Sequence, residues 1–208
     1  MIKQIAFALV LVVACGKKSG DQAGDKAAPA KPAVTIDAAA ANALVPAALK
    51  DKIVFEKRTI KIKRGRDDVS YTLAAPKTWK QQGEMFASLK ADDAGGFFSK
   101  MDINPNCGTS FKDSECKPKD WEKVADTATF APHVTANETI VKDEKAKGRR
   151  TMISSETSNT KITRVSVAWW NDGDSKYHIC SADLDETIKD AAPAFAKACE
   201  AVAIDGDD

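Results

Sequence analysis

Apolar and polar residues alternate one by one in much of the chain between positions 53 and 204, and this pattern limits the fold more than any other feature. Successive side chains of a β-strand point to opposite faces, so the alternation predicts strands with one buried face. In the first such run, Ile60 and Ile62 alternate with lysines, and a charged turn leads to a second run that ends at Pro76. These two runs predict an antiparallel hairpin.

Further strands are predicted at residues 85–90, 97–103, 138–143, 150–155, 161–170 and 176–182. An Asp-Gly turn at Asp172 and Gly173 joins the last two, and this dipeptide is typical of hairpins. We also expect an amphipathic helix whose apolar residues recur at helical spacing, at Trp121, Val124, Ala125 and Ala128. A final helix is expected after Asp190, its predicted N-cap, with Pro193 in its first turn.

The adjacent aromatic residues Trp169 and Trp170 point to opposite faces of their predicted strand, so both faces of the sheet are expected to be covered. We therefore predict an α+β fold in which an antiparallel β-sheet is sandwiched by helices, an α/β/α sandwich. This globular domain is expected to span residues 51–205. Residues 15–50 are rich in Ala, Pro and Lys and contain no aromatic residue, which predicts a disordered N-terminal linker. A short helix capped by Asp37 and running through the following alanines is the alternative for part of this linker.

The N-terminus has the pattern of an export signal. Lys3 precedes an unbroken apolar run over residues 5–14, which is about half the length needed to span a bilayer. The run ends in Val12-Val13-Ala14-Cys15, which resembles the lipobox of bacterial lipoproteins. The resemblance implies that residues 1–14 are a signal peptide and that Cys15 becomes a lipidated first residue carrying acyl chains such as palmitate. An ordinary signal peptide cut near Ala14 is the alternative.

Four further cysteines, an even number, predict two disulfide bonds in an exported chain. They are Cys107, Cys116, Cys180 and Cys199. Three pairings are possible, and we favour Cys107 with Cys116 and Cys180 with Cys199, the latter tying a late strand to the final helix. A metal cluster is the alternative, but no Cys-x-x-Cys motif occurs and the only histidines, His133 and His178, have no ligand spacing. We expect no metal and no cofactor.

Without residues 1–14 the chain has 30 basic and 30 acidic side chains, so its formal charge is zero, which argues against nucleic acid as a partner. The first hairpin is nevertheless locally basic. Its basic residues, Lys57, Arg58, Lys61, Lys63, Arg64 and Arg66, are a candidate contact with a membrane surface. The alternative is a solvated strand face that discourages edge-to-edge pairing.

The hairpin leading into Pro76 and Trp79, a mid-chain helix bearing Trp121, and a closing helix with Phe195 together resemble the PsbP-like family. The resemblance covers roughly residues 53–204. It implies a sheet between helices, and a protein that binds a protein partner or a small ligand without catalysis. No enzyme activity is expected. The alternatives are an envelope hydrolase with an unrecognised site and a structural or stress-related envelope spacer. Gly16 favours the outer membrane, facing the periplasm, because the inner-membrane retention signal of enteric bacteria has Asp there.

Overall fold

The structure is a computed structural model, and it describes residues 36–64, 67–88, 99–106, 137–146, 148–156, 161–169 and 177–205. All of these residues belong to one compact unit. Its elements, in chain order, are α1 (Ala38–Ala43), β1 (Phe55–Arg64), β2 (Asp67–Pro76), β3 (Lys80–Gln82), β4 (Met85–Ala87), β5 (Lys100–Asn106), β6 (Glu138–Ala146), β7 (Arg149–Glu156), β8 (Thr163–Trp169), β9 (Tyr177–Leu184), α2 (Ala192–Glu200) and β10 (Ala203–Asp205).

The predicted first hairpin is confirmed. Strands β1 and β2 pair in antiparallel register from Phe55 opposite Pro76 to Arg64 opposite Asp67. Strand β10 adds to the other side of β2, so these strands form a three-stranded sheet in the order β1-β2-β10. Ile60, the apolar residue near the middle of β1, is fully buried, as the alternation requires.

The other seven strands form a second antiparallel sheet in the order β3-β4-β5-β9-β8-β7-β6. Most of its strands overlap the predicted ones, although β4 and β5 are offset from the predicted bounds and β3 was not predicted. Short turns connect β3 to β4 and β6 to β7, and both contain a glycine with a positive φ angle, Gly83 and Gly148. Glycine has no Cβ and therefore adopts this conformation without strain.

One hydrophobic core joins the two sheets and the two helices. Phe195 of α2 lies at its centre, with its ring 5.0 Å from that of Phe55 in the three-stranded sheet and 5.3 Å from that of Trp79. The Tyr71 hydroxyl of β2 hydrogen-bonds His178 Nδ1 of β9 at 3.0 Å. The three-stranded sheet therefore packs directly on the seven-stranded sheet.

The predicted α/β/α sandwich is wrong. The described chain is mostly β-strand, with two antiparallel sheets, the six-residue α1 and the nine-residue α2. A buried strand face shows that something covers it, but the alternation does not distinguish a helix from a second sheet. Here the three-stranded sheet supplies much of the cover that we expected from helices. The predicted mid-chain helix around Trp121 lies outside the described residues.

The globular unit begins earlier than residue 51. Asp37 caps α1 by accepting hydrogen bonds from the backbone N–H groups of Ala39 and Ala40 at 2.9 and 3.2 Å. Behind this cap, Ala41, Val45 and Leu49 are buried in the core. Residues 36–49 therefore belong to the domain rather than to the linker predicted at residues 15–50, because their few apolar side chains have a surface to pack on.

The last helix starts later than predicted. Asp190 lies in a short 3₁₀ turn, Lys189–Ala191, and α2 begins at Ala192 with Ala191 at its N-cap and no capping side chain. Pro193 lies in the first turn, as expected, where its missing N–H costs no hydrogen bond. Within the described ranges, neither helix is long and apolar enough to cross a membrane.

Candidate functional site

The predicted membrane-contact residues do not share one surface. Lys57 and Lys61 of β1 are exposed, and they lie on the same face of the strand as Thr59. The Thr59 hydroxyl, between the two lysines, hydrogen-bonds the Thr72 hydroxyl of β2 at 3.0 Å, so this face is polar from Lys57 to Lys61. These two lysines remain available for contact with an anionic surface.

Arg58 has a structural contact instead. Its guanidinium donates hydrogen bonds to the Trp79 carbonyl at 2.6 Å and to the Pro76 carbonyl at 3.2 Å. The same group lies 4.4 Å from the centre of the Phe86 ring, a cation–π contact. Arg58 thus fixes the turn after β2 and is half-buried rather than presented to a membrane. The structure does not describe the side chains of Lys63 and Arg64, and Arg66 lies outside the described residues.

An ionic network crosses four strands of the seven-stranded sheet. Arg164 of β8 donates from Nε to Asp183 Oδ1 of β9 at 2.7 Å and from Nη1 to Glu138 Oε1 of β6. Glu138 also accepts a hydrogen bond from the Ser154 hydroxyl of β7 at 3.2 Å, and its side chain is 2 % exposed. Arg164 therefore neutralises a buried carboxylate, which would otherwise carry a large desolvation cost.

The network continues toward β5. Lys100 lies 3.5 Å from Asp183 and 3.7 Å from Asp102, whose carboxylate also accepts a 2.6 Å hydrogen bond from Ser181. Burial alone would lower the pKa of Arg164, but its hydrogen bond and attraction to Asp183, with the charges of Glu138 and Glu156, raise that pKa. These groups are engaged with one another, so they serve the sheet rather than a proton-transfer reaction.

A second carboxylate is fixed at the end of β9. Asp185 accepts hydrogen bonds from the Ser99 hydroxyl at 2.7 Å and from the Thr187 N–H at 2.8 Å. Burial would raise the pKa of Asp185, but the hydrogen bonds from Thr187 and Ser99 outweigh it and lower that pKa. The carboxylate therefore stays ionised and holds the turn that leads into α2.

His178 is buried as the second residue of β9, on the face that also carries Cys180. Its ring bonds the Tyr71 hydroxyl and stacks on Trp169, with 5.5 Å between the ring centres. These contacts give His178 a structural role in the core. His133 lies outside the described residues.

The adjacent carboxylates of Asp143 and Glu144 also have a structural explanation. The two residues lie inside β6. Asp143 accepts two 2.8 Å hydrogen bonds from Arg150 on β7. That hydrogen bonding lowers the pKa of Asp143 and keeps it ionised. Across the part of the chain that the structure describes, no cluster of His, Cys, Asp and Glu could hold a metal ion.

The predicted pairing of Cys180 with Cys199 is confirmed: the two residues form a disulfide bond between β9 and α2, and both are buried. Cys15, Cys107 and Cys116 lie outside the described residues. The pairing of Cys107 with Cys116 and the lipid on Cys15 thus remain predictions.

Sequence reasoning missed the ionic network and the Asn42 contact with β1. The Asn42 side chain accepts from the Phe55 N–H at 2.7 Å and donates to the Phe55 carbonyl at 2.9 Å, which ties α1 to the first strand. Charged residues at alternate strand positions, such as Arg164 and Asp183, were the available signal, but their partners depend on strand order. No family model and no curated protein matches this chain.

Proposed function

We propose that this chain is a bacterial envelope lipoprotein, anchored through acyl chains on Cys15, whose domain binds a protein partner without catalysing a reaction. The proposed location is the outer membrane, facing the periplasm. The sequence support is the short apolar segment that ends in Val12-Val13-Ala14-Cys15. Two or three acyl chains hold a protein at a membrane almost permanently, so the domain itself needs no transmembrane segment.

The disulfide between Cys180 and Cys199 is the observation that carries the extracytoplasmic part of the proposal. Such bonds persist in oxidising compartments and are rare in the bacterial cytoplasm. Because this one joins the last long strand to α2 inside the core, it serves stability and is not exposed for redox chemistry. It therefore supports export, which the N-terminal pattern predicts independently.

Strand β6 supports a protein partner. It is the last strand of the described seven-stranded sheet, and its Ile140 and Val141 side chains are 48 % and 66 % exposed. A bulge between Ile140 and Lys142 interrupts the pairing with β7, and bulges at a sheet edge limit uncontrolled strand addition. A partner would thus contact these two apolar side chains more than the backbone of the edge.

Site-specific photo-cross-linking in intact cells tests the binding function. A photoreactive residue at Val141 is expected to give one stoichiometric protein adduct. The same residue at Lys161, an exposed position that pairs with Glu186 elsewhere on the domain, is the control. Equal or absent adducts at both positions would contradict the binding module and favour a spacer.

The anchor is tested separately by growth with an alkyne fatty acid. The wild-type chain is expected to be labelled and to sediment with membranes, whereas Cys15→Ala is expected to be unlabelled. Fatty-acid label that persists in Cys15→Ala would contradict attachment at this residue.

A further inference from the structure

The part of the domain at which the described residues begin carries exposed apolar side chains and exposed lysines. Two of its large apolar residues, Leu44 and Val54, are 47 % and 46 % exposed. Exposed lysines occur in the same segments of the chain, and we group them with the apolar pair as the entry surface. The entry surface consists of Leu44, Lys50, Lys52, Val54, Lys57, Lys61 and Lys77.

Backbone contacts bring the parts of the entry surface together. The Lys77 N–H donates to the Val54 carbonyl at 2.8 Å, which places the end of β2 beside the start of β1. The Asn42 side chain holds both backbone groups of Phe55, so the end of α1, where Leu44 lies, is also at this point. Helix α1 is six residues, or about 9 Å, long, and the described chain starts just before it.

Among the residues that the structure describes, Lys50, Lys52, Lys57, Lys61 and Lys77 form no ion pair and no side-chain hydrogen bond. Residues 36–77, which contain the entry surface, have nine basic and five acidic side chains, so this stretch of the chain carries a formal charge of +4.

Positive charge is also concentrated in the first part of the whole sequence. Residues 15–88 contain 14 basic and 8 acidic side chains, whereas residues 89–208 contain 16 basic and 22 acidic ones. The zero net charge of the chain after residue 14 therefore hides a formal charge of +6 in the first part and −6 in the second. The excess of positive charge thus lies in the part of the sequence that contains the entry surface.

We propose that the entry surface lies against the anionic phospholipid headgroups of the membrane that anchors the chain. Lysines attract the phosphates, and the exposed Leu44 and Val54 insert at the headgroup boundary, as in other proteins that bind membrane interfaces. The inference rests on the proposed lipid anchor, which would keep the domain near the bilayer. It orients the domain, with the exposed apolar residues of β6 left for a protein partner.

Lysine labelling of the full lipidated protein in vesicles tests the orientation. An amine-reactive reagent is applied to protein in phosphatidylcholine vesicles and in vesicles that also contain phosphatidylglycerol, and each lysine is quantified by mass spectrometry. Labelling of Lys50, Lys52 and Lys77 is expected to slow about fivefold or more in the anionic vesicles. Lys161 and Lys189, which pair with Glu186, are internal controls and should not change.

Matched variants separate charge from position. Replacing Lys50, Lys52, Lys57 and Lys77 by Gln should remove the protection of the remaining Lys61, whereas replacing Lys142, Lys161, Lys189 and Lys197 by Gln should preserve it. High salt should weaken the protection in the wild type. Equal labelling in both vesicle types would overturn the orientation while leaving the anchor intact.

Two further outcomes are decisive. Protection that appears without vesicles and grows with protein concentration would assign the entry surface to a second copy of the chain and overturn the proposal. If the N-terminal peptide carries no lipid, the proposed anchor fails. Labelling of the unlipidated protein with added vesicles then tests the entry surface independently. Slower labelling of its lysines in the anionic vesicles would support the proposal, and unchanged labelling would refute it.

Discussion

Charged side chains are arranged differently in the two sheets of this domain. Around the three-stranded sheet, Lys57 and Lys61 are exposed and make no ion pair within the described ranges. In the seven-stranded sheet, Arg164 bridges Glu138 and Asp183. Ion pairs between neighbouring strands hold a sheet together. Exposed lysines that form no ion pair with described residues can instead interact with a surface outside the chain. The contrast separates a structural side of the molecule from an interactive one.

The largest effect is expected from Arg164→Met in the seven-stranded sheet. Loss of the guanidinium leaves the buried Glu138 carboxylate without its cationic partner, which should lower the free energy of unfolding by about 3 kcal/mol. Lys61→Met is the matched control in the other sheet and should change it by less than about 0.5 kcal/mol. Urea unfolding of both variants measures the difference. Equal losses would break the contrast between the two sheets.

Removal of the core disulfide should lower the free energy of unfolding by about the same amount as Arg164→Met. Replacing Cys180 and Cys199 by Ala opens a link between residues 19 positions apart, which predicts a loss of about 3 kcal/mol. The measurement is urea unfolding under oxidising conditions. Replacing Cys107 and Cys116 by Ala measures separately how much the other predicted disulfide contributes to stability. An unchanged unfolding midpoint after loss of Cys180 and Cys199 would be incompatible with the structure.

The Asn42 contact sharpens the account of the entry surface. Asn42→Ala leaves the N–H and carbonyl of Phe55 without their side-chain partner and should destabilise the domain by about 2 kcal/mol. Asn42→Asp keeps the acceptor and loses the donor, so about half of that loss is expected at neutral pH. Thermal and urea unfolding of the two variants provide the test. Wild-type stability in Asn42→Ala would show that α1 is held by apolar contacts alone.

Asp185 should make stability depend on pH. Its folded pKa lies below the ordinary value of 3.8, so the ionised carboxylate stabilises the fold above that value and loses this effect as the pH falls through the folded pKa. Asp185→Asn should therefore cost about 1 to 2 kcal/mol near neutral pH and progressively less below about pH 4. The exposed Asp190→Asn is the control. A difference that grows on acidification would contradict the sign of the shift.

The smallest effect is expected from the exposed lysines. Replacing Lys57 and Lys61 together by Gln should leave the free energy of unfolding within about 0.5 kcal/mol of the wild type, because neither lysine has an ionic partner in the described part of the chain. The same variant should bind anionic vesicles more weakly. A large loss of stability would place these lysines in the structural part of the molecule.

Local patterns in the sequence predicted local structure. The alternation around Ile60 and Ile62 identified the first hairpin, and the spacing of Cys180 and Cys199 relative to a strand and a helix identified their disulfide. The hairpin depends on residues that are close together in sequence, and the disulfide depends on a single contact. The fold class could not be predicted from local patterns alone, because a buried strand face does not show whether a helix or another sheet covers it.

The same limit explains the errors at individual residues. Arg58 looked equivalent to Lys57 in the sequence, but β-strand neighbours point to opposite faces, and Arg58 reaches the carbonyl of Trp79. The Arg164 network needed the strand order β9-β8-β7-β6, which no local pattern encodes. Residues 36–49 looked like linker because they are poor in aromatic residues, yet Val45 and Leu49 fill a surface made by distant strands.

Mass spectrometry of the N-terminal peptide, taken from protein purified from membranes, tests the central claim most directly. The account predicts a peptide that begins at Cys15 and carries a diacylglyceryl group and acyl chains. A peptide that begins at an unmodified Met1, from protein recovered in the cytosol, would contradict the anchor on which the proposed function depends.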